Sequence, residues 1–182
     1  MNLIKKILYR IRGTVGTEEL IKNGLRVGVD FQREEGCIID PSHCFLITIG
    51  DHVTLAPRVH ILAHDASMHR ALGYTFIAPV TIGSRVFIGA GSIVLPGVTI
   101  GDDCVIGAGS VVTKDIPNGS VAVGNPARCI KSHEEFLSKQ KEQMTTLPLF
   151  DESYTFRNKG FVATMREEMK ARLDDAGGGF VE

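Results

Sequence analysis

Branched aliphatic residues recur at every sixth position through the middle of the chain, and glycine follows four of the six. This spacing fits neither the 3.6-residue period of a helix nor the two-residue alternation of a strand. It is typical of a chain that winds short strands around a prism, with one strand and one turn on each face. We therefore expect a β-helix. The positions that set the period are Ile82, Ile88, Val94, Ile100, Ile106 and Val112.

The same period extends backwards, clearly to Ile49 and less regularly to Leu25, through Phe31, Cys37 and His43. With three hexads per coil, the prism is expected to contain about six coils. Between Ile61 and Ile82 the spacing is 21 residues, which is not a multiple of six. Three or more residues must leave the prism there, so we predict a projecting loop over residues 62–79. Loops on rigid repeats often carry function.

Helical patterns flank the repeat on both sides. Residues 3–12 place aliphatic side chains on one stripe and basic ones elsewhere, which predicts a helix that packs on the body or a partner subunit, or makes weak contact with an anionic membrane surface. A second helix is predicted with Thr17 as N-cap and Gly24 as terminator. Capping boxes at Ser132 and Thr164 predict two more. The predicted domains are an N-terminal helical segment, a β-helix and a C-terminal helical extension, at residues 1–24, 25–131 and 132–182.

Composition narrows the class of protein. The net charge of −1 favours neither nucleic acid nor a membrane as partner. No apolar stretch approaches the roughly 18 residues that a transmembrane helix needs, and the basic start lacks the features of a secretory signal. The four cysteines form no CxxC pair, and a reducing cytoplasm suits them better than a disulfide framework. We expect a cytoplasmic protein.

Several sequence blocks within residues 25–131 carry a family resemblance. The most specific is Gly124-Asn-Pro-Ala-Arg128, and the loop contributes Ala63-His64-Asp65. With these blocks the chain resembles the hexapeptide-repeat acetyltransferases, in the branch of sugar and capsular-polysaccharide O-acetyltransferases that includes the galactoside and maltose enzymes. The resemblance implies an all-β core formed by a left-handed parallel β-helix, and a homotrimer with active sites between subunits. It also implies acetyl-CoA as co-substrate, a sugar or polysaccharide precursor as acceptor, and no metal.

The resemblance further implies that His64 is the general base of a ternary-complex mechanism. A sugar hydroxyl must lose its proton as it attacks the thioester, and imidazole changes charge near neutral pH. A backbone N–H of a neighbouring coil is expected to stabilise the oxyanion. The thiolate is a weakly basic leaving group, so His64 can return its proton to it.

The donor and acceptor sites are also inferred by resemblance. Small side chains let a pantetheine arm approach the prism, and cations bind the nucleotide phosphates. The expected coenzyme A contacts are Ala90, Ala108, Thr113 and Lys114 along the arm and Arg128 and Lys131 at the phosphates. The expected acceptor contacts are Asp40, Ser42, Asp65, Arg70 and Tyr74.

Three alternatives remain open. An amino-sugar N-acetyltransferase would use the same base. A non-catalytic trimeric scaffold would keep the fold alone. A γ-class carbonic anhydrase would hold zinc with three histidines, and His64 and His69 have the spacing of two such ligands. The third should lie about two coils upstream, where the residue is Gly28, and His43 is only 21 residues before His64.

Overall fold

The first compact unit of the protein is a parallel β-helix, as the period predicts. In the computed structural model, which describes residues 14–182, the chain divides into two units between His133 and Glu134. Paired strands lie one coil apart, and Phe87 pairs with Val105, three hexads later in the sequence. Each regular coil is therefore three hexads long, with one hexad on each face. The predicted prism of short strands is confirmed.

Each face of the prism is one sheet. The first sheet contains Arg26–Val27, Ile47–Ile49, Val80–Ile82 and Thr99–Ile100. The second contains Gln32–Arg33, Thr54–Leu55, Phe87–Ile88, Val105–Ile106, Ser120–Val123 and Arg128–Ser132. The third contains Ile38–Ile39, His60–Ile61, Ile93–Val94 and Val111–Val112. Pairing within these sheets is parallel, except that Arg128–Ser132 turns back antiparallel to Ser120–Val123.

The aliphatic residues that set the period point into the prism. Ile88, Val94, Ile100 and Ile106 are all fully buried. Residues two positions earlier in the hexad, such as Val98, are buried as well. Each such side chain contributes about 1.5–3 kcal/mol on leaving water, so the core is built from many equal local contributions.

Close stacking of the coils explains why glycine follows the inward aliphatic residue. A Cβ added to Gly89 would lie 2.5 Å from the backbone nitrogen of Ala108 in the next coil. At another corner, side-chain oxygens accept hydrogen bonds from turn N–H groups. Ser84 N donates to Asp102 Oδ1 over 2.6 Å, and Asp102 N donates to Asn118 Oδ1 over 3.0 Å. The same hydrogen bond, from a turn N–H to a side-chain oxygen of the next coil, is therefore repeated along this corner of the prism.

Two coils are longer than three hexads. Arg26 pairs with Thr48, so four extra residues are inserted between them, and the segment 40–46 with its 3₁₀ turn Cys44–Leu46 leaves the regular path. Thr48 pairs with Thr81, and the coil between them carries a much longer insertion. Together the two insertions are about as long as one regular coil. Each coil contributes one parallel strand to a face. Among the described residues, the largest sheet has five such strands, whereas six coils were expected.

The backward extension of the register is wrong for the same reason. Val27 pairs with Ile49 and Ile39 pairs with Ile61, so the equivalents of the later hexad positions lie two residues after Leu25 and Cys37. His43, expected in the same series, lies inside the shorter insertion. Leu25 and Cys37 are nevertheless buried, because a hexad has a second inward position.

The larger insertion is a small folded arm over the predicted loop 62–79. Strands His64–Asp65 and Phe76–Ile77 pair antiparallel, and the helix His69–Leu72 lies between them. Gly73 ends this helix with a positive φ of 75°, a conformation that glycine adopts without strain.

A helix precedes the prism as predicted, with a different cap. The helix Thr17–Lys22 has Gly16 as its N-cap, so Thr17 is the first helical residue and makes no cap. Gly24, with a φ of 102°, follows the helix. The prediction for residues 1–12, including membrane contact, lies outside the described residues.

The second unit, 134–182, contains most of the helix His133–Met144, the 3₁₀ turn Glu152–Tyr154 and the helix Ala163–Ala176. Strands Leu149–Phe150 and Phe180–Val181 pair in parallel. Val162 is the N-cap of the last helix, so Thr164 is not the cap that its motif predicts. Phe150 is buried, with the Arg172 guanidinium 4.5 Å from its ring centre. Within the described part of the chain, no helix is long and apolar enough to cross a membrane.

Candidate active site

His64 stands where the larger insertion leaves the prism. It follows the buried Ala63 and opens the first strand of the arm. Its side chain is one-third exposed, and its Nδ1 hydrogen-bonds Asp40 Oδ2. Asp40 follows the strand Ile38–Ile39, which lies beside His60–Ile61 in the same sheet. The two insertions therefore begin next to each other, and they bring a histidine and a carboxylate together.

Asp40 is a buried carboxylate with a full set of donors. Its side chain has no exposed surface. Oδ1 accepts hydrogen bonds from the backbone N–H of Ser42 at 3.0 Å and of His43 at 3.1 Å. Oδ2 accepts one from the N–H of Ala63 at 3.1 Å, besides its bond to His64. Such a network fixes the carboxylate in one orientation.

The charge on Asp40 sets the tautomer of His64. Burial is the largest influence on the Asp40 carboxyl and opposes its ionisation, but the hydrogen bonds from His64 and three backbone N–H groups together outweigh it. The pKa of Asp40 is therefore held below its ordinary value. An ionised Asp40 requires a proton on the Nδ1 of His64. The lone pair is then on Nε2, where a general base needs it.

His43 is a second histidine at this site. Its ring centre lies 5.1 Å from that of His64. Its Nδ1 is buried, has no hydrogen-bond partner among the described residues, and lies 3.9 Å from Asp40 Oδ1. A buried polar nitrogen without a partner is uncommon in folded proteins.

The predicted acceptor residues separate into two groups. Asp40 and Ser42 lie at the start of the shorter insertion, where the Asp40 side chain hydrogen-bonds His64 and has no exposed surface. Ser42 is exposed. Asp65, Arg70 and Tyr74 lie on the arm and are exposed, and Asp65 Oδ1 accepts the N–H of Ser67 at 2.8 Å. The hydrogen bond from Ser67 holds the pKa of Asp65 below its ordinary value.

Two predicted donor-site residues stack on the prism surface. Ala90 and Ala108 are both exposed and lie in successive coils, and the Ala90 carbonyl accepts the N–H of Gly109 at 2.9 Å. Gly91 and Gly109 follow them with positive φ, and nothing lies within 4 Å of a Cβ placed on either. The result is an open column of small residues along the prism.

The other donor-site candidates lie at the end of the repeat. Thr113 and Lys114 follow the last strand of the third sheet and are exposed. Arg128 and Lys131 are both on the antiparallel strand that closes the second sheet. Arg128 is exposed, and its Nη1 donates to the carbonyl of Ala127.

The histidine pair considered for a carbonic anhydrase is not brought together as one site. His69 lies on the helix of the arm, with Nδ1 3.3 Å from the Thr75 hydroxyl. Among the described residues, the group that could hold a metal ion is Asp40, His43 and His64. His69 is outside it.

Sequence reasoning missed Asp40 and His43 as neighbours of His64. The available signal was the pair of breaks in the period, one on each side of the regular coil 47–61. Residues at the start of two insertions in adjacent coils lie side by side when their strands pair, as Ile39 and Ile61 do. The shorter break was hidden, because the backward register passed through His43 without a visible interruption.

Comparison with known proteins agrees with the fold and the repeat. The family described as "Hexapeptide repeat of succinyl-transferase" matches residues 79–114. Protein CapG of Staphylococcus aureus is 38% identical over 143 residues, which cover 75% of this chain and 83% of CapG.

Two solved structures share the fold. The maltose O-acetyltransferase from Clostridium difficile 630 is 50% identical with a TM-score of 0.53, covering 60% of this chain and 59% of that one. A galactoside acetyltransferase in complex with coenzyme A is 38% identical with a TM-score of 0.58, covering 63% and 58%. These matches span less than two thirds of either neighbour's length. The three-faced prism, its repeat and these relatives together show that the chain belongs to the hexapeptide-repeat acetyltransferases, with their left-handed parallel β-helix.

Proposed function

We propose that this protein transfers an acetyl group from acetyl-CoA to a hydroxyl of a sugar or polysaccharide precursor, with His64 as the general base. The observation that carries the proposal is the hydrogen bond from His64 Nδ1 to the buried Asp40 carboxylate. Asp40 fixes the orientation of the His64 ring on its buried side, and one-third of the His64 side chain is exposed. The ring is therefore placed to take a proton from a bound ligand. The enzyme class is that of its family.

The reaction needs one proton carrier. His64 Nε2 takes the hydroxyl proton as the acceptor oxygen attacks the thioester carbonyl. The tetrahedral intermediate then collapses, the carbon–sulfur bond breaks, and His64 returns the proton to the coenzyme A thiolate. Asp40 stabilises the imidazolium between these steps without itself changing protonation, since its pKa is already low.

Acetyl-CoA as donor is supported by the open column of Ala90 and Ala108. An extended pantetheine arm can approach backbone only where side chains are small, and this column is exposed. We assign Arg128 and Lys131 to the phosphates, because both lie on the strand that closes the prism. The galactoside acetyltransferase neighbour is described in complex with coenzyme A.

We also propose that the protein acts as a homotrimer with active sites between subunits. The first unit exposes large apolar side chains that a monomer would leave in water, including Leu72 at 64%, Phe76 and Ile77 at 49%, and Phe87 at 45%. Leu72, Phe76 and Ile77 all belong to the arm, and covering exposed apolar side chains of one element favours association. Native mass spectrometry should give three chains per particle, and a monomer would contradict this part of the proposal.

The test is acetyl-CoA-dependent release of coenzyme A thiol against a panel of neutral sugars, oligosaccharides and amino sugars. The wild type should be active with at least one hydroxyl acceptor, and His64→Ala should lose about 10²–10⁴-fold in kcat, the range expected for removal of a general base. His52→Ala is the matched control, since His52 also hydrogen-bonds an aspartate but on the exposed surface. Equal activity of His64→Ala and wild type would refute the role of His64. Acetylation at nitrogen, identified by mass spectrometry, would assign the amino-sugar alternative.

A further inference from the structure

The site contains three metal-binding groups, although the proposed reaction uses two of them. One nitrogen from each of His43 and His64 and one oxygen of Asp40 all lie within 4.8 Å of one another. His43 Nδ1 is buried without a partner among the described residues and faces the carboxylate at 3.9 Å. His43 Nδ1, which the proposed reaction does not use, therefore lies near the Asp40 carboxylate that hydrogen-bonds the proposed general base, His64.

The donor set suits zinc. Two histidine nitrogens and one carboxylate oxygen, with water in the fourth position, match its preference for four ligands. For tetrahedral Zn²⁺ with bonds of about 2.1 Å, neighbouring ligand atoms lie about 3.4 Å apart. The bond between Asp40 and His64 would have to lengthen towards that value, and His43 would have to approach. The two histidine side chains are partly exposed, at 27% and 33%, and the Asp40 side chain is fully buried, so zinc binding requires the two exposed rings to rotate towards the carboxylate.

We propose that Asp40, His43 and His64 form a binding site for Zn²⁺, and that the bound ion inhibits acetyl transfer by changing the tautomer of His64. The binding part stands on the ligand geometry alone. The inhibition part rests on the proposed function.

The inhibition follows from the position of one proton. In the active arrangement, His64 carries its proton on Nδ1 and presents the lone pair on Nε2. Coordination of Zn²⁺ at Nδ1 forms an N–Zn bond and breaks the N–H bond, and the displaced proton reaches Nε2 through solvent. The imidazole stays neutral, but Nε2 is now protonated and cannot accept the hydroxyl proton. The site needs no blockage of either substrate to lose its base.

Binding is measured first, by isothermal titration of the metal-free protein with Zn²⁺ and by the visible absorption of Co²⁺ in the same site. We expect one ion per chain, and His43→Ala should weaken binding by at least about tenfold, a lower bound set by the effect of losing even an indirect metal contact. His52→Ala and His69→Ala are the controls, and both should bind as the wild type does. Unchanged binding in His43→Ala, or loss in His69→Ala, would overturn the proposed ligand set.

Inhibition is measured second, as the Zn²⁺ concentration that halves the rate, with each variant compared to its own metal-free rate. His43→Ala should need at least about tenfold more Zn²⁺ than the wild type, matching its loss of binding. A metal chelator should restore the wild-type rate. Activation by Zn²⁺, or equal inhibition of both proteins, would overturn the inhibitory role. If Zn²⁺ binds as expected and no acceptor is acetylated, the metal site stands and the proposed function fails.

Discussion

Replacing Asp40 with asparagine keeps the shape of the side chain but replaces one carboxylate oxygen, which accepts hydrogen bonds, with an NH₂ group, which donates them. Oδ1 accepts from Ser42 and His43, and Oδ2 accepts from Ala63 and His64. If the amide oxygen takes the Oδ1 position, one backbone N–H, that of Ala63, loses its acceptor. In the opposite orientation two backbone N–H groups, those of Ser42 and His43, lose their acceptor. The first is therefore favoured by about one hydrogen bond, or roughly 1 kcal/mol.

In that favoured orientation the amide nitrogen faces His64 and donates to Nδ1. The histidine proton must then be on Nε2, which removes the base. When asparagine replaces the aspartate of a serine-protease triad, the same tautomer error lowers kcat by about 10⁴. We expect Asp40→Asn to lower kcat by about 10³–10⁴, equivalent to about 4–5.5 kcal/mol of transition-state stabilisation. The KM for acetyl-CoA should change little, because the donor contacts proposed above do not include Asp40.

The assay is steady-state thiol release with the best acceptor found in the panel, together with thermal melting to establish that the variant folds. Asp30→Asn is the matched control, since Asp30 Oδ2 lies 3.1 Å from His52 Nδ1 in an exposed pair with the same chemistry. It should retain wild-type kcat. A folded Asp40→Asn protein with kcat within about threefold of wild type would refute the orienting role of Asp40, since the tautomer argument requires at least a 10³-fold loss.

The remaining predictions concern stability and reactivity. Gly89→Ala should destabilise the fold by about 3 kcal/mol in urea unfolding, the upper part of the usual range for overpacking, because its Cβ meets backbone. Gly119→Ala, which has space but a φ of 67°, should cost about 1–2 kcal/mol. A similar cost for both would contradict the stacking argument. Because the pKa of Asp40 is held below 3.8, its contribution to the free energy of unfolding is present above about pH 4 and is lost as pH falls through the lower folded value. The urea midpoints of wild type and Asp40→Asn should therefore converge on acidification, and a constant difference down to about pH 2.5–3 would contradict this. Of the four cysteines, Cys129 is exposed and the others are buried, and burial raises the pKa of the Cys104 thiol. A thiol reagent should modify one cysteine per native chain and four after denaturation.

Much of the fold was readable from the sequence, because a hexapeptide repeat makes the same local demand at every turn. Ile88, Ile100 and Ile106 occupy the same inward position in their hexads and are all buried, so the period indicates the architecture before any strand pairing is known. The glycine that follows each of these residues likewise indicates, from the local sequence, that the next coil lies close. Caps were less readable. Thr17 and Thr164 match capping patterns, but the N-caps are Gly16 and Val162, one and two residues earlier.

The sequence by itself determined the prism, its inward residues from Ile49 onward, the position of the arm and the family to which the repeat belongs. The tertiary structure alone decided that Asp40, His43 and His64 meet. Their contact depends on where two insertions leave adjacent coils, and the lengths of those insertions follow from strand pairing rather than from any local pattern. Asp40 and His64 are distant in the sequence and become neighbours because Ile39 and Ile61 pair. The period can be read from the sequence of each coil, whereas the site forms only where two coils that carry insertions stack on each other.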